Sequence, residues 1–278
     1  MKKNLVLFYS NRSEPVTAAL LNQKKISLYP ISLQEFLNQG EVVDEISNDS
    51  VKIHWTFPDG KTISNDRHTL IINRALGCGS ELFQDFIKKD RNYAQSELWA
   101  YLFFALNSFP KITSVPNSYT LCGGGYPLPR QWEAVKSIGM HVPEYYLGNM
   151  KSLPKDWNKN EVVCSTIQNS YFWKEYYKKN AGFAFKKPSG DPFLAFIRGN
   201  KGSLHTMDNL PLKLQKSTEK MMISMAQKVN GIFKFPIAEI LFFLNGKQLT
   251  FGMIQHVPYG ISLTENFQNS IVEWVETL

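Results

Sequence analysis

The sequence predicts a mixed α/β fold, and three stretches carry that prediction. Within residues 4–37 an apolar strand, a helix, a second apolar strand and a capped helix follow one another, the order of a βαβ unit with a parallel sheet. Residues 90–106 keep apolar side chains at three-four spacing and form the clearest helix. Near the C-terminus two apolar runs flank Asn245-Gly246, a strong hairpin signal. The chain has 278 residues, which is enough for one large or two modest domains.

Residues 4–9 read as a short buried strand. The next helix covers 14–21, with Pro15 suited to its first turn. A second strand spans 26–31, and Ser32 with Glu35 three residues later makes a capping box for a short helix over 32–37. Residues 51–57 alternate polar and apolar, Pro58-Asp59-Gly60 turns, and 61–63 return, giving a hairpin. His54 lies on the polar side of that hairpin and reads as solvated. Residues 69–74 form a further buried strand that ends in Arg74.

Gly123-Gly124-Gly125 lies in a loop over 121–130. Consecutive glycines can present N–H groups to phosphate, but no Walker lysine follows, and a plain flexible loop explains them too. A helix over 129–138 and strands over 161–166, 183–187 and 193–198 come next. The helix over 214–229 carries Met221, Met222, Met225 and Val229 as one apolar stripe, which reads as core. A last helix is expected over 267–278.

Composition narrows the function classes. The net charge is +7, but the lysines are dispersed and no nucleic-acid-binding motif is present, so nucleic acid is not an expected partner. No apolar run is long enough to span a bilayer. The basic, apolar N-terminus is too short in its apolar part for a signal peptide and reads as a first strand. Cys78, Cys122 and Cys164 are odd in number and lack metal spacing, which suggests free thiols and a cytoplasmic location.

Chemistry concentrates at the C-terminal hairpin. Glu239 and the pair Gln255-His256 sit at the ends of its two strands away from the turn, so a carboxylate, an amide and an imidazole come close together. Pro258 and Gly260 then end the second strand in a turn. The same pattern also suits a core hairpin with solvated polar tips.

This segment resembles the end of an ATP-grasp domain, as in ribosomal S6 glutamate ligases, glutathione synthetases and graspetide ligases. The resemblance implies a magnesium site. Glu239 falls at the first acidic position, Gln255 where a metal-binding Glu is expected, and His256 near the expected Asn. The resemblance runs through nearly the whole chain as an order of elements. It implies a pre-ATP-grasp-like domain over 1–120 and a shortened ATP-grasp-like domain over 121–278. Gln131, Gly139 and Pro143 match a family segment whose lysine is absent, with Arg130 standing nearby. Cys164 stands where a second ATP-binding lysine is expected, with Lys186 or Lys187 as the alternative. Arg198 falls near a family arginine that contacts phosphate or the reacting carboxylate.

The resemblance thus implies ATP and Mg2+ as cofactors and a ligase that joins a carboxylate to an amine or alcohol. Its substrate would be a peptide or small carboxylate. The departures at Gln255, Cys164 and Arg130 imply the alternative, a catalytically degenerate protein that binds a peptide or partner ligase, or itself as a homo-oligomer. Gln offers a neutral amide oxygen where magnesium prefers anionic ones, and imidazole suits softer metals.

Overall fold

The computed structural model describes residues 4–148, 154, 156–158, 161–167, 182–207, 214–264 and 266–278. The chain divides into two compact units: Met1–Gly124 with Gln268–Leu278, and Gly125–Phe267.

The first unit opens with β1 (Asn4–Tyr9), α1 (Pro15–Asn22), β2 (Tyr29–Ser32) and α2 (Leu33–Gln39). β3 (Glu41–Ile46), β4 (Val51–Thr56), β5 (Thr62–Ser64) and β6 (Thr69–Arg74) follow. The expected βαβ unit is present: β1 pairs in parallel with β2 on one side and β6 on the other. Pro15 takes the first turn of α1. The capping box forms too, with Ser32 Oγ accepting from Glu35 N at 3.1 Å and Glu35 Oε2 from Ser32 N at 2.8 Å.

β3, which sequence patterning does not reveal, pairs antiparallel with β4 along its whole length. Its Val42, Val43 and Ile46 are exposed, so no buried alternation marks it. In β4, Ile53 and Trp55 alternate into the core as expected. His54 is only partly buried, with Nδ1 3.0 Å from Ser64 Oγ. Phe8, Phe36, Trp55 and Phe109 pack with ring centroids 4.9–5.9 Å apart. Leu102, Ala105 and Leu106 of α3 (Arg91–Asn107) complete that core.

The second unit starts with α4 (Leu128–Lys136) and a three-stranded sheet, order β7-β9-β8, of β7 (Tyr145–Leu147), β8 (Val162–Ser165) and β9 (Phe183–Lys186). Then come β10 (Asp191–Arg198), β11 (Lys201–Thr206), α5 (Lys216–Phe233), β12 (Ile237–Asn245) and β13 (Gln248–Gln255). The four strands form an antiparallel sheet, order β11-β10-β12-β13. The last helix, α6 (Phe267–Glu276), belongs to the first unit from Gln268 on. The stripe expected on α5 is split: Met222 and Val229 are fully buried, whereas Met221 is 40% exposed. No described helix is long and apolar enough to cross a membrane.

The β12–β13 hairpin forms with a shifted turn. Asn245 pairs with Gln248, leaving Gly246-Lys247 as the two-residue loop. Gly246 has φ 59°, the glycine-first arrangement of a type II′ turn. Asn245 closes the last pair, and its Nδ2 donates to Ser189 Oγ at 2.9 Å.

Candidate functional site

A single-residue bulge sets the geometry of the site. From Asn245↔Gln248 to Phe242↔Phe251 the hairpin keeps one register, and continued unbroken it would place Ile254 opposite Glu239. Between Leu241 and Phe242 the register shifts, because Gly252 is an extra residue on β13. Beyond it Leu241 faces Met253 and Glu239 faces Gln255. A slip of one residue exchanges the two faces of a strand, so the bulge is what turns Gln255 toward Glu239.

α4 holds the bulge in place. Trp132 Nε1 donates to the Gly252 carbonyl at 2.6 Å, and Gln131 Oε1 accepts from Ile254 N at 2.7 Å. A Cβ at Gly252 would lie 2.8 Å from Leu241 Cδ2, so any side chain there would have to displace the buried Leu241.

Side chains directly opposite across an antiparallel sheet share a face. Ser203 of β11, Phe196 of β10, Glu239 of β12 and Gln255 of β13 therefore form one row. Arg198 and His205 extend the same face by two residues along their strands.

Glu239 is fully buried at the centre of this row. Gln255 Nε2 donates to its Oε1 and Ile261 N to its Oε2, the latter at 2.6 Å. The turn approaches closely because residue 260 is glycine: a Cβ there would lie 2.6 Å from Leu194 Cδ1 and 3.0 Å from Glu239 Oε2. Burial pushes the Glu239 carboxyl up from 4.5 to about 7, against the opposing effect of the Ile261, Gln255 and Gly260 donors. Gln255 Oε1 is buried without a hydrogen-bond partner among the described residues. If the Gln255 amide turns over, that oxygen faces Glu239 and accepts from the protonated acid. The pair therefore has a hydrogen-bonded arrangement with or without a proton.

Arg198 ends β10, with its guanidinium carbon 5.4 Å from the Phe196 ring centroid. Its Nε and Nη1 are buried and take no hydrogen-bond partner among the described residues. Ser203 Oγ lies 2.9 Å from His205 Nε2. Burial and then the charge of Arg198 lower the affinity of His205 for a proton, so its imidazole is neutral near pH 7.

The remaining expected site residues stand elsewhere. His256 follows β13 and its ring centroid lies 5.8 Å from that of Phe235. Lys186 pairs with Glu144 at 2.7 Å and lies 5.4 Å from the Trp157 ring centroid. Lys187 and Arg130 are exposed, and neither belongs to the four-stranded sheet. Cys164 of β8 pairs with Ala184 of β9, and burial raises its thiol. Ser203, His205 and the Ile261 N–H escape sequence reading, although Ser203 and His205 do keep the period of two that gives them one face.

These residues do not fit magnesium. The ion takes oxygens in octahedral array, from one or two carboxylates completed by water and phosphate. Here one carboxylate has both oxygens turned to N–H donors, and no group of three or more His, Cys, Asp or Glu among the described residues is placed to hold a metal.

No family model matches the sequence, and no curated protein matches it. Solved structures do. Over 98% of this chain and 99% of the other, the macrocyclase MdnC of Microcystis aeruginosa MRC, bound with precursor peptide MdnA, superposes with a TM-score of 0.71 at 12% identity. The chain has the ATP-grasp fold. A Chryseobacterium gregarium RiPP-associated ATP-grasp ligase, complexed with ADP and a leader and core peptide, covers 98% of this chain and 92% of its own at 13% identity and TM-score 0.65. The ATP-grasp ligase PsnB, complexed with a phosphomimetic variant of minimal precursor, Mg and ADP, covers 99% and 98% at 9% identity and TM-score 0.67. The fold expected from the order of elements is thus present along the whole chain.

Proposed function

We propose that this chain is a catalytically degenerate ATP-grasp-fold protein that binds a peptide or protein partner through the buried-polar face of the four-stranded sheet. The observation that carries this reading is the Glu239–Gln255 pair. Where the resemblance implies a cationic site, both oxygens of a buried carboxyl accept from N–H donors instead. Arg198 supplies the positive charge of that face, and its Nε and Nη1, without hydrogen-bond partners among the described residues, suit a carboxylate brought by the partner. The neighbours' complexes with precursor peptides support a peptide as that partner. Arg198 is then a binding residue rather than a catalytic one.

A second reading is an ATP-dependent carboxylate–amine or carboxylate–alcohol ligase. The near-complete match to ligases solved with ADP, magnesium and peptide favours it. In that case Arg130, Lys186 and Lys187 serve the nucleotide, and Glu239, Gln255 and His256 rearrange around a metal. Loss of charge-assisted contacts at both places weakens nucleotide binding by several kcal/mol, on the order of 1.5–3 for each contact.

Calorimetric titration with ATP and magnesium, then with manganese, separates the two. Silence at millimolar nucleotide is expected. Saturable heat that Glu239→Ala abolishes would support the ligase instead.

A further inference from the structure

α5 carries an apolar stripe that the core does not use. Met222, Ala226 and Val229 face inward and are fully buried, while Met221 and Met225 point to a cavity of about 610 Å³. Met140 and Leu249 form its floor, 7% and 9% exposed. His141 and Lys247 stand at its rim, both exposed. No acidic side chain among the described residues lines it.

We infer that this groove is a docking site for a segment of a partner polypeptide, one that inserts a large apolar side chain and sets a carboxylate against Lys247. This rests on the partner-binding function proposed above and adds a second contact surface to it, away from Glu239.

Three features point to that occupant. The floor and walls are methionine and leucine, and thioether side chains adjust to apolar groups of different shape. The rim offers the Lys247 ammonium with no acid beside it among the described lining residues, which complements a negatively charged segment. Met221, 40% exposed on one wall, is half in solvent, whereas small-molecule sites commonly bury about 70–90% of their ligand. A side chain entering from a covering polypeptide would close the groove, because its own backbone supplies the missing wall.

The test presents the full-length chain to a phage library of random dodecapeptides. Enriched peptides are synthesised with fluorescein and their affinities read by anisotropy. Enriched sequences should share a Leu, Met or Phe within four residues of an Asp or Glu. Met221→Glu and Lys247→Glu each replace an exposed side chain and should each weaken binding about tenfold or more. Lys25→Glu, an exposed lysine of the first unit, changes the net charge equally and should leave binding unchanged. Replacing the peptide's acid by lysine should restore binding to Lys247→Glu.

Lack of enrichment, enrichment without the apolar–acidic pair, or binding indifferent to Met221→Glu and Lys247→Glu would overturn the inference. Saturable binding of octanoate with no peptide enriched would overturn it in favour of a small apolar acid. Nucleotide titration of the same protein keeps the two proposals distinguishable. ATP-dependent heat would contradict the degenerate function and leave a positive peptide result standing. A negative peptide result with nucleotide silence would remove the groove alone.

Discussion

Two carboxylates are fully buried among the described residues, one in each unit, and their surroundings differ in kind. Glu14 caps α1, accepting from Val16 N at 3.2 Å, Thr17 N at 2.8 Å and Thr17 Oγ1 at 2.8 Å. Arg74, itself 2% exposed, adds Nε at 3.1 Å and Nη2 at 2.5 Å. Burial alone would raise the Glu14 carboxyl, but the Arg74 charge and these donors hold it below the ordinary range. Glu239 has donors as well, but no cationic side chain among the described residues is one of the groups that set its proton affinity, and there burial wins. Sequestering a charge is costly unless an opposite charge accompanies it, and a carboxyl without one keeps its proton instead. Glu14 is therefore held as an anion, whereas burial shifts Glu239 toward its protonated form.

The largest effect is expected at the anion. Arg74→Met leaves Glu14 buried without its cation and should lower unfolding free energy by about 3–5 kcal/mol, measured by urea denaturation at pH 7. A loss below 1 kcal/mol would show that the capping N–H groups alone carry the charge. Because its folded-state affinity for protons is depressed, Glu14 contributes stability that is present above the ordinary carboxylate range and is lost as pH falls through its folded pKa.

Glu239 works in the opposite direction. Its folded state keeps the proton longer than the unfolded chain, so its contribution is fully present below about 4.5 and fades as pH rises through about 7. At about 1.4 kcal/mol per tenfold, that difference corresponds to about 3 kcal/mol. Glu239→Gln should remove this fall, so that the variant is as stable as the native protein at pH 4.5 and more stable at pH 8. A native protein whose stability is flat between pH 5 and 8 would contradict the assignment. Smallest is the effect of a single donor: Thr17→Val should cost about 1 kcal/mol at pH 7, since three backbone or guanidinium partners of Glu14 remain. A change as large as that of Arg74→Met would mean the hydroxyl rather than the guanidinium dominates.

The same pair of sites shows what the sequence reveals. Local signals were legible: Pro15 at a first turn, the Ser32–Glu35 capping box, the alternation through Ile53 and Trp55, and the last hairpin. Each depends on residues a few positions apart. The meeting of Glu239 with Gln255 was legible as well, because hairpin geometry fixes it to within a residue. That final residue depends on the bulge at Gly252, which Trp132 and Gln131 hold from 120 or more positions away. Glu14 and Arg74 are 60 residues apart and join only through the β1–β6 pairing, so neither announces its partner. Met221 looked like core because its helical spacing suits either side of a broad stripe, and only packing decides which side is covered. Whether Glu239 holds a metal or a proton was beyond the pattern of residues. It turns on how far the fold buries the carboxyl, which raises its proton affinity, against the Ile261 and Gly260 N–H groups, which lower it.

That last distinction is open to direct observation. With the side-chain carboxyl carbons of glutamate labelled with carbon-13, and Glu239→Gln used to assign the signal, NMR titration reads its protonation in the folded protein. The expected midpoint is about 7 and does not move when magnesium and ATP are added. A midpoint below 5, or a shift of the signal on adding magnesium and ATP, would show a metal-binding carboxylate and contradict the account.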